Sequence, residues 1–294
     1  MEAEENNQER EPDPVKDQVI RTLLPQPSRR SFLQCITINA RSIVNKLNEL
    51  HGLLYHADYD IVFITESWLS DAIPNSLIDP ENEYNVIRKD RKASRGGGVC
   101  LLIRKNVLTH VVNVAAGNLE VVAADVYYSN FSYRLIGVYR KPGYLSDDVN
   151  YVADLIACLT RLCDTTLPVI ITGDFNCPDI DWATMSAPRD GVQNHIAEFI
   201  NDSGLSQLVS KPTRCRNIID LLIVSQPILV SQVNIKAPFA NSDHNTVTFA
   251  LSFENENESE NGPARKPTIK CYKWNEADYS AIAAYLDSID WNTF

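Results

Sequence analysis

Between residues 32 and 253 the chain is a succession of short apolar runs, and several end in, or are broken by, an acidic or polar side chain. Asn39 follows Cys35–Ile38, Glu66 follows Ile61–Thr65, and Asp174 and Asn176 follow Val169–Gly173. Asp220 interrupts Ile218–Val224, and the Asp243–His244 pair stands just before Thr246–Phe249. Apolar runs of this length read as buried strands. A carboxylate buried without a partner costs several kcal/mol. Carboxylates on the ends of several core strands therefore point to one shared partner. A divalent cation is the usual one, with His and Asn serving a substrate phosphate beside it.

The rest of the pattern places these runs in a fold. Residues 1–30 are polar, without periodicity, and are expected to be disordered. A folded domain over 31–253 opens with a strand at Phe32. Ser42 to Ala57, with Ile43, Leu47, Leu50 and Leu54 at helical spacing, predicts a helix. Asp60–Thr65 predicts a strand and Asp71–Glu83, with Pro74 and Pro80, a loop. Strands are expected at Tyr84–Arg88, Val99–Arg104, His110–Val114, Glu120–Tyr127 and Tyr133–Tyr139, with turns such as Gly96–Gly98 between them. Ser146–Cys163 predicts an amphipathic helix capped by Ser146. Then come a strand at Pro168–Thr172, a helix at Val192–Asp202, and strands at Ser206–Val209, Ile218–Val224, Val233–Ile235 and Thr246–Phe253. Few βαβ alternations fit two packed sheets with helices outside, an α/β sandwich. Residues 254–267 read as an acidic linker and 268–294 as a partly helical connector.

Composition narrows the class. No apolar run is long enough to span a membrane, and Met-Glu-Ala-Glu-Glu is not a secretory signal. The seven cysteines include no Cys-x-x-Cys pair, which favours buried thiols in a reducing, intracellular compartment. The net charge of −11 argues against a purely electrostatic DNA binder. Over half of that excess lies in the two polar tails, so nucleic acid stays open as a partner.

Taken singly, each motif has an ordinary reading. Gly173–Asn176 is a strand-to-loop turn, and Glu66 is a cap. Asp220 is a buried Asp bonded to a backbone amide or to Arg214 or Arg216. Functionally, Asp174 and Asn176 share one side of an extended segment. Asp220 can hold His244 in one tautomer, and Glu66 offers the hard oxygen that Mg²⁺ prefers. His51, His56, His110 and His195 fall on helix or strand patterns and read as structural. Ligand pairs at zinc spacing are lacking. Arg88, Lys89, Arg91, Lys92 and Arg95 form a basic run leading into Gly96–Gly98, which is not a P-loop because no Gly-Lys-Ser/Thr follows.

In combination, and in this order, the motifs are far more specific. Asn39-Ala-Arg-Ser, Ile-Thr-Glu66-Ser-Trp-Leu, Gly-Gly-Gly-Val, Gly-Val-Tyr139-Arg, Gly-Asp174-Phe-Asn176, Ile-Asp220-Leu-Leu and Ser-Asp243-His244 resemble the endonuclease/exonuclease/phosphatase superfamily over residues 32–253. Within it, "NARSIVNKLNEL", "DIVFITESWLS", "KPTRCRNIIDLLIVS" and "SDHNTVTF" resemble the endonuclease of non-long-terminal-repeat retrotransposons. Residues 268–294 resemble the connector that leads to reverse transcriptase in such elements.

The resemblance implies a four-layered α/β sandwich, two packed mixed sheets flanked by helices, as in pancreatic deoxyribonuclease. It implies a DNA endonuclease that nicks by water attack on phosphorus and leaves a 3′-hydroxyl, with Mg²⁺ as cofactor and Mn²⁺ as an alternative. Glu66, helped by Asn39, would hold the metal, with Asp243 on the metal side. Asp174 would activate or orient water and Asn176 position it. Tyr139 and His244 would contact the scissile phosphate, and Asp220 would orient His244. Substrate contacts would come from Asn39, the basic run 88–95, Arg140 and Arg214. The partners would be DNA and, in an intact element, a reverse transcriptase domain in cis, with the nucleus as the place of action. Apurinic endonucleases carry an Asp two residues after the Asn. Arg41 stands there, so a second metal site built on that Asp is not expected. Two other readings share the scaffold: a phosphatase or phospholipid phosphodiesterase, and an idle copy that only binds nucleic acid or a partner.

Overall fold

The computed structural model describes residues 32–252, apart from 93, 115–116, 130, 144–146 and 189–190, together with Ser280. The chain divides into two compact units, Met1–Asn255 and Glu256–Phe294. All that follows concerns the first. The disordered segment, acidic linker, connector and Ser146 cap expected from the sequence lie outside the described residues.

Two six-stranded sheets form the core. The first contains β1 (Phe32–Asn39), β2 (Ile61–Thr65), β3 (Tyr84–Lys89), β4 (Val99–Arg104), β11 (Val230–Pro238) and β12 (Asn245–Ser252), in the order β11-β12-β1-β2-β4-β3. The second contains β5 (Leu108–Val112), β6 (Glu120–Tyr128), β7 (Phe131–Tyr139), β8 (Val169–Asp174), β9 (Ser206–Gln207) and β10 (Asp220–Val224), in the order β5-β6-β7-β8-β10-β9. Both sheets are mixed. β1–β2 and β7–β8 are parallel, joined by α1 (Leu47–His56) and α3 (Asp147–Cys163), and the remaining pairs are antiparallel. Two further helices are α2 (Asn75–Ile78) and α4 (Val192–Asp202).

Alternation along the strands explains the layers. Leu33 and Cys35 of β1, with Ile61 and Phe63 of β2, face the other sheet and meet Val122, Ala124, Leu135 and Leu222 there. Ile36 and Ile38, with Val62 and Ile64, face outward onto Leu50 and Leu54 of α1. On the far side Val121, Ala123 and Ile171 pack against Val152, Leu155 and Leu159 of α3 and Ile196 and Ile200 of α4. Strands covered on both faces have no polar face to show, hence the near-continuous apolar runs. The expected four-layered sandwich is therefore the observed one. Cys35, Cys100, Cys158 and Cys177 are buried, as small hydrophobes should be.

Some boundaries differ from the sequence reading. The first helix starts at Leu47, not Ser42. Residues 41 and 42 take positive φ, and the amides of Ser42 and Ile43 bond the carbonyls of Glu66 and Ser67. Ile43 is fully buried from this turn, so it mimicked a helical position without being in the helix. A four-residue helix, α2, occupies part of the expected loop 71–83. β11 is longer than expected, with irregular register at Ser231/Asn234 and Lys236/Pro238 that hid its alternation. Asp220 opens β10 and does not interrupt it.

This topology gathers the polar strand ends. The carboxyl ends of β1, β2, β7 and β8 and the amino ends of β4, β10 and β12 share one edge of the sandwich, as the registers Asn39↔Thr65, Thr65↔Val99, Tyr139↔Asp174 and Asp220↔Asp174 require. Beneath that edge Thr37 of one sheet meets Thr172 of the other, Oγ1 to Oγ1 at 2.8 Å.

Candidate active site

Asp174 and Asp220, last on β8 and first on β10, are cross-strand partners, each 1% exposed. Asp220 Oδ2 accepts a bond of 2.8 Å from Nδ1 of His244. With Nδ1 held by that carboxylate, Nε2 is left toward the interior of the site. Nε2 lies 3.5 Å from Nδ2 of Asn39, and the same Nδ2 donates to Asp174 Oδ2 at 2.8 Å. Asn39 thus ties the first sheet to the second. Oδ1 of Asp174 accepts the Asn176 amide at 2.9 Å, in a turn where Asn176 has a φ of 49°.

Glu66 follows β2 with a φ of 49° and is only half-buried. Tyr139 donates its hydroxyl to Oε1 at 3.2 Å, and the Trp68 indole donates to Oε2 at 3.3 Å. Tyr139 is the register partner of Asp174, which sets Glu66 and Tyr139 beside the Asp–His cluster.

The electrostatics follow from this crowding. Burial, then the charge of Asp220, pushes the Asp174 carboxyl well above the usual carboxylate range, with His244 and the Asn176 amide pulling the other way. For His244, burial opposes the imidazolium, but the bond and charge of Asp220, with Asp174, outweigh it and raise its pKa. Burial and then the charge of Glu66 raise the phenol of Tyr139.

The donor set fits a hard cation. Asp174, Asp220 and His244 bring ligand atoms within 4.8 Å of one another. Asp220 Oδ1 is buried with no hydrogen-bond partner among the described residues, an arrangement that a positive charge would relieve. Glu66, the ligand expected from the sequence, offers carboxylate oxygens that among the described residues are held by two bonds longer than 3 Å.

Known proteins match this frame. A family model described as endonuclease-reverse transcriptase matches residues 133–248, the stretch that holds Tyr139, Asp174, Asn176, Asp220 and His244. No curated protein matches the chain. Among solved structures, the endonuclease domain of TRAS1, a telomere-specific non-LTR retrotransposon, is 14% identical, with 76% of this chain and 99% of that one covered, at a TM-score of 0.60. An AP endonuclease from Archaeoglobus fulgidus is 14% identical over 74% and 99%, at 0.60. A 3′-5′ exonuclease from Neisseria meningitidis is 17% identical over 75% and 100%, at 0.59. The chain is similar to the endonuclease-reverse transcriptase family over residues 133–248 and shares its fold with these nucleases.

Other residues expected at a superfamily site stand differently. Both oxygens of Asp243 are engaged by arginines: Oδ1 by Arg41 at 3.1 Å and Oδ2 by Arg214 at 2.7 Å. Burial works against it, yet the bond and charge of Arg214, with Arg41, hold its carboxyl below the usual range. Asp243 is therefore a rim ion pair, and Arg214 is partly neutralised by it. Arg140 is 1% exposed; its Nη1 donates to the carbonyls of Phe175 and Asn176, and its own carbonyl accepts from Asn176 Nδ2. It braces the Asp174–Asn176 turn from behind. Arg88 donates to Asp90, Ser70, Ile73 and Asn75, and so clamps the loop before β3. Arg91 makes a two-pronged pair with Glu120 and lies over the Tyr139 ring. Lys92 and Arg95 are exposed, Arg95 over the Trp68 ring, and Lys89 is half-buried.

Sequence reasoning passed over several supporting residues. Thr213 Oγ1 accepts the Ile219 and Asp220 amides. Ser242 Oγ donates to the Asn39 carbonyl and accepts the His244 amide. Glu120 takes the Gly98 amide at 2.6 Å and both prongs of Arg91. Ser242 and Trp68 adjoin site residues in sequence, which was the available signal. Thr213 lies within the KPTRCRNIIDLLIVS stretch, whereas Glu120 is remote from any motif.

Proposed function

We propose that this chain is a divalent-cation-dependent endonuclease of the kind carried by non-LTR retrotransposons, which hydrolyses a DNA phosphodiester by water attack and leaves a 3′-hydroxyl. The observation that carries the reading is the convergence of Asn39, Asp174, Asp220 and His244 in one hydrogen-bonded set beside the Glu66–Tyr139 pair. Mg²⁺, held by Glu66 with Asn39 nearby, would neutralise charge on the phosphate oxygens.

The protein groups divide the remaining work. Asp174, raised above its usual range and pinned by Asn39 and the Asn176 amide, is poised to take a proton from an attacking water. Asn176, with its side chain locked to Arg140, keeps that turn in place. His244, held by Asp220, and the Tyr139 hydroxyl present donors to the phosphate as charge grows on it. The 3′-5′ exonuclease and AP endonuclease structures with this fold support a nucleic acid as substrate over a lipid headgroup.

The test is nicking of supercoiled plasmid with Mg²⁺, with EDTA as control, beside a phosphoinositide phosphate-release assay. Nicking that EDTA abolishes and that Glu66→Gln removes without lowering the melting temperature is the expected result. Phosphate release without nicking would replace the endonuclease reading with a phosphatase. Inactivity in both would leave an idle relic.

A further inference from the structure

A cleft of about 1100 Å³ opens beside the catalytic groups. Its walls are residues 88–92, the 117–120 turn, Lys141, and Tyr151 and Arg161 of α3. Two side chains join it to the centre: Arg91 lies 5.5 Å over the Tyr139 ring, and the Tyr151 hydroxyl donates to the Tyr139 carbonyl at 3.5 Å.

The cations of the cleft fall into two sets. Arg88 and Arg91 are neutralised, by Asp90 at 2.7 Å and by Glu120 at 2.5 Å, and form its fixed wall. Lys89, Lys92, Lys141 and Arg161 have no carboxylate within ion-pair distance among the described residues. Lys92, Lys141 and Arg161 are exposed, and Lys141 lies over the Tyr151 ring at 5.5 Å. Opposite charge in the lining is left only to Asp71 and Asp154 once the two pairs are set aside. In a chain of net charge −11, four unneutralised cations around one cleft form a local reversal of sign.

We propose that this cleft holds the sugar-phosphate backbone of the DNA strand on one side of the scissile phosphate, gripped by Lys89, Lys92, Lys141 and Arg161. The inference rests on the endonuclease reading and adds which strand-gripping charges serve it. A strand whose phosphate reaches Tyr139 must leave the centre past a neighbouring surface. Arg91 and Tyr151 make the cleft that neighbour. Two of the five residues of the basic run, Arg88 and Arg91, are thereby reassigned to wall-building. The phosphate contacts shift to Lys141 and to Arg161, which lies far from any motif.

The experiment measures binding of a fluorescent duplex to the full chain carrying His244→Ala, which keeps the DNA intact, across a salt series. Lys92→Glu, Lys141→Glu and Arg161→Glu are added singly. Lys105→Glu, past the opposite end of β4, is the control. Each cleft reversal should weaken binding about five-fold and reduce the salt slope by roughly one unit, the loss of one phosphate contact, while Lys105→Glu leaves both near the parent value. Cleft variants that bind with the parent affinity and slope would overturn the proposal. So would a chain that binds a polyglutamate peptide through these cations and ignores the duplex, since the cleft would then serve an acidic protein. Plasmid nicking by the unmutated chain is read separately. A chain that grips DNA through these cations without nicking it upholds the cleft and overturns the endonuclease.

Discussion

Asp174 and Asp220 face each other across the antiparallel pair β8–β10, both buried, with a single imidazole between them and the first sheet. Two carboxylates this close in a buried site repel, and among the described residues no Lys or Arg forms an ion pair with either. Packing of the surrounding apolar strands pins the arrangement in place, so the site holds charge that the fold alone would shed.

That relationship sets a dependence of stability on pH. A group whose folded pKa is raised adds stability that is complete below its unfolded pKa and lost as pH climbs through the folded value. Asp174 and His244 are both raised, so both lower stability as pH rises from the acid range through neutrality. In EDTA the melting temperature should fall between about pH 5 and about pH 8, and Asp174→Asn should flatten the fall and raise the value at the upper end. Mg²⁺ should add more stability at the upper pH, because it binds the deprotonated carboxylates. A melting temperature flat in pH, or lowered by Asp174→Asn at the upper end, would show that the pair carries no such repulsion.

The bond from His244 Nδ1 to Asp220 predicts non-additive kinetics. If Asp220 fixes the tautomer and the charge of His244, Asp220→Asn costs on the order of 10²-fold in nicking rate in the parent. In a His244→Ala background it should cost little more. The alkaline limb of the pH–rate profile should also move to lower pH in Asp220→Asn, since the carboxylate that raises His244 is gone. Losses that multiply across the four variants would mean that the two residues act separately.

Much of this was legible in the sequence because both sheets are covered on both faces. Strands such as Ile61–Thr65 and Val169–Asp174 had to be apolar throughout, so a polar residue at their ends stood out. The charges that hold the loops were not legible. Glu120 follows a turn and opens an apolar strand, and the packing of β6 against β3 and β4 of the other sheet brings it to Gly98 and Arg91. The basic run read as one surface because sequence cannot tell Arg88, bound to backbone carbonyls, from exposed Lys92. Asp243 likewise read as part of the metal side because its two arginines come from residues 41 and 214, distant along the chain.

Gly98 is fixed by a close approach. Its φ is +87°, and a Cβ there would lie 2.5 Å from Ser67 Oγ. The turn also accepts the Ser67 and Trp68 amides through the Gly98 and Gly97 carbonyls, so it backs the segment that carries Glu66. Gly98→Ala should destabilise by about 1–3 kcal/mol from strain and contact and lower nicking. Ser67→Ala in the same chain should recover part of the stability by removing the clashing oxygen. No recovery in the double variant would mean that the backbone angle alone accounts for the loss.

Glu120 offers the sharpest separation of scaffold from chemistry. Its side chain is 5% exposed, and it holds Arg91 by two bonds and the Gly98 amide by a third. Arg91 in turn rests on the ring of Tyr139, whose hydroxyl bonds Glu66. Glu120→Gln keeps the shape but leaves a guanidinium with weaker acceptors. Removing one partner of a largely buried pair costs on the order of 3 kcal/mol, here at the low end because Arg91 keeps some exposure. The kinetic expectation is more specific than the loss of stability. Arg91 released from Glu120 stops fixing Tyr139, so the turnover number should fall about ten-fold at saturating Mg²⁺ while the KM for DNA changes little. Arg91→Ala should reproduce the turnover loss, and adding it to Glu120→Gln should cost little more, since the two act as one clamp. Turnover of folded Glu120→Gln protein equal to that of the parent would reduce the clamp to a stabilising ion pair with no reach into the site.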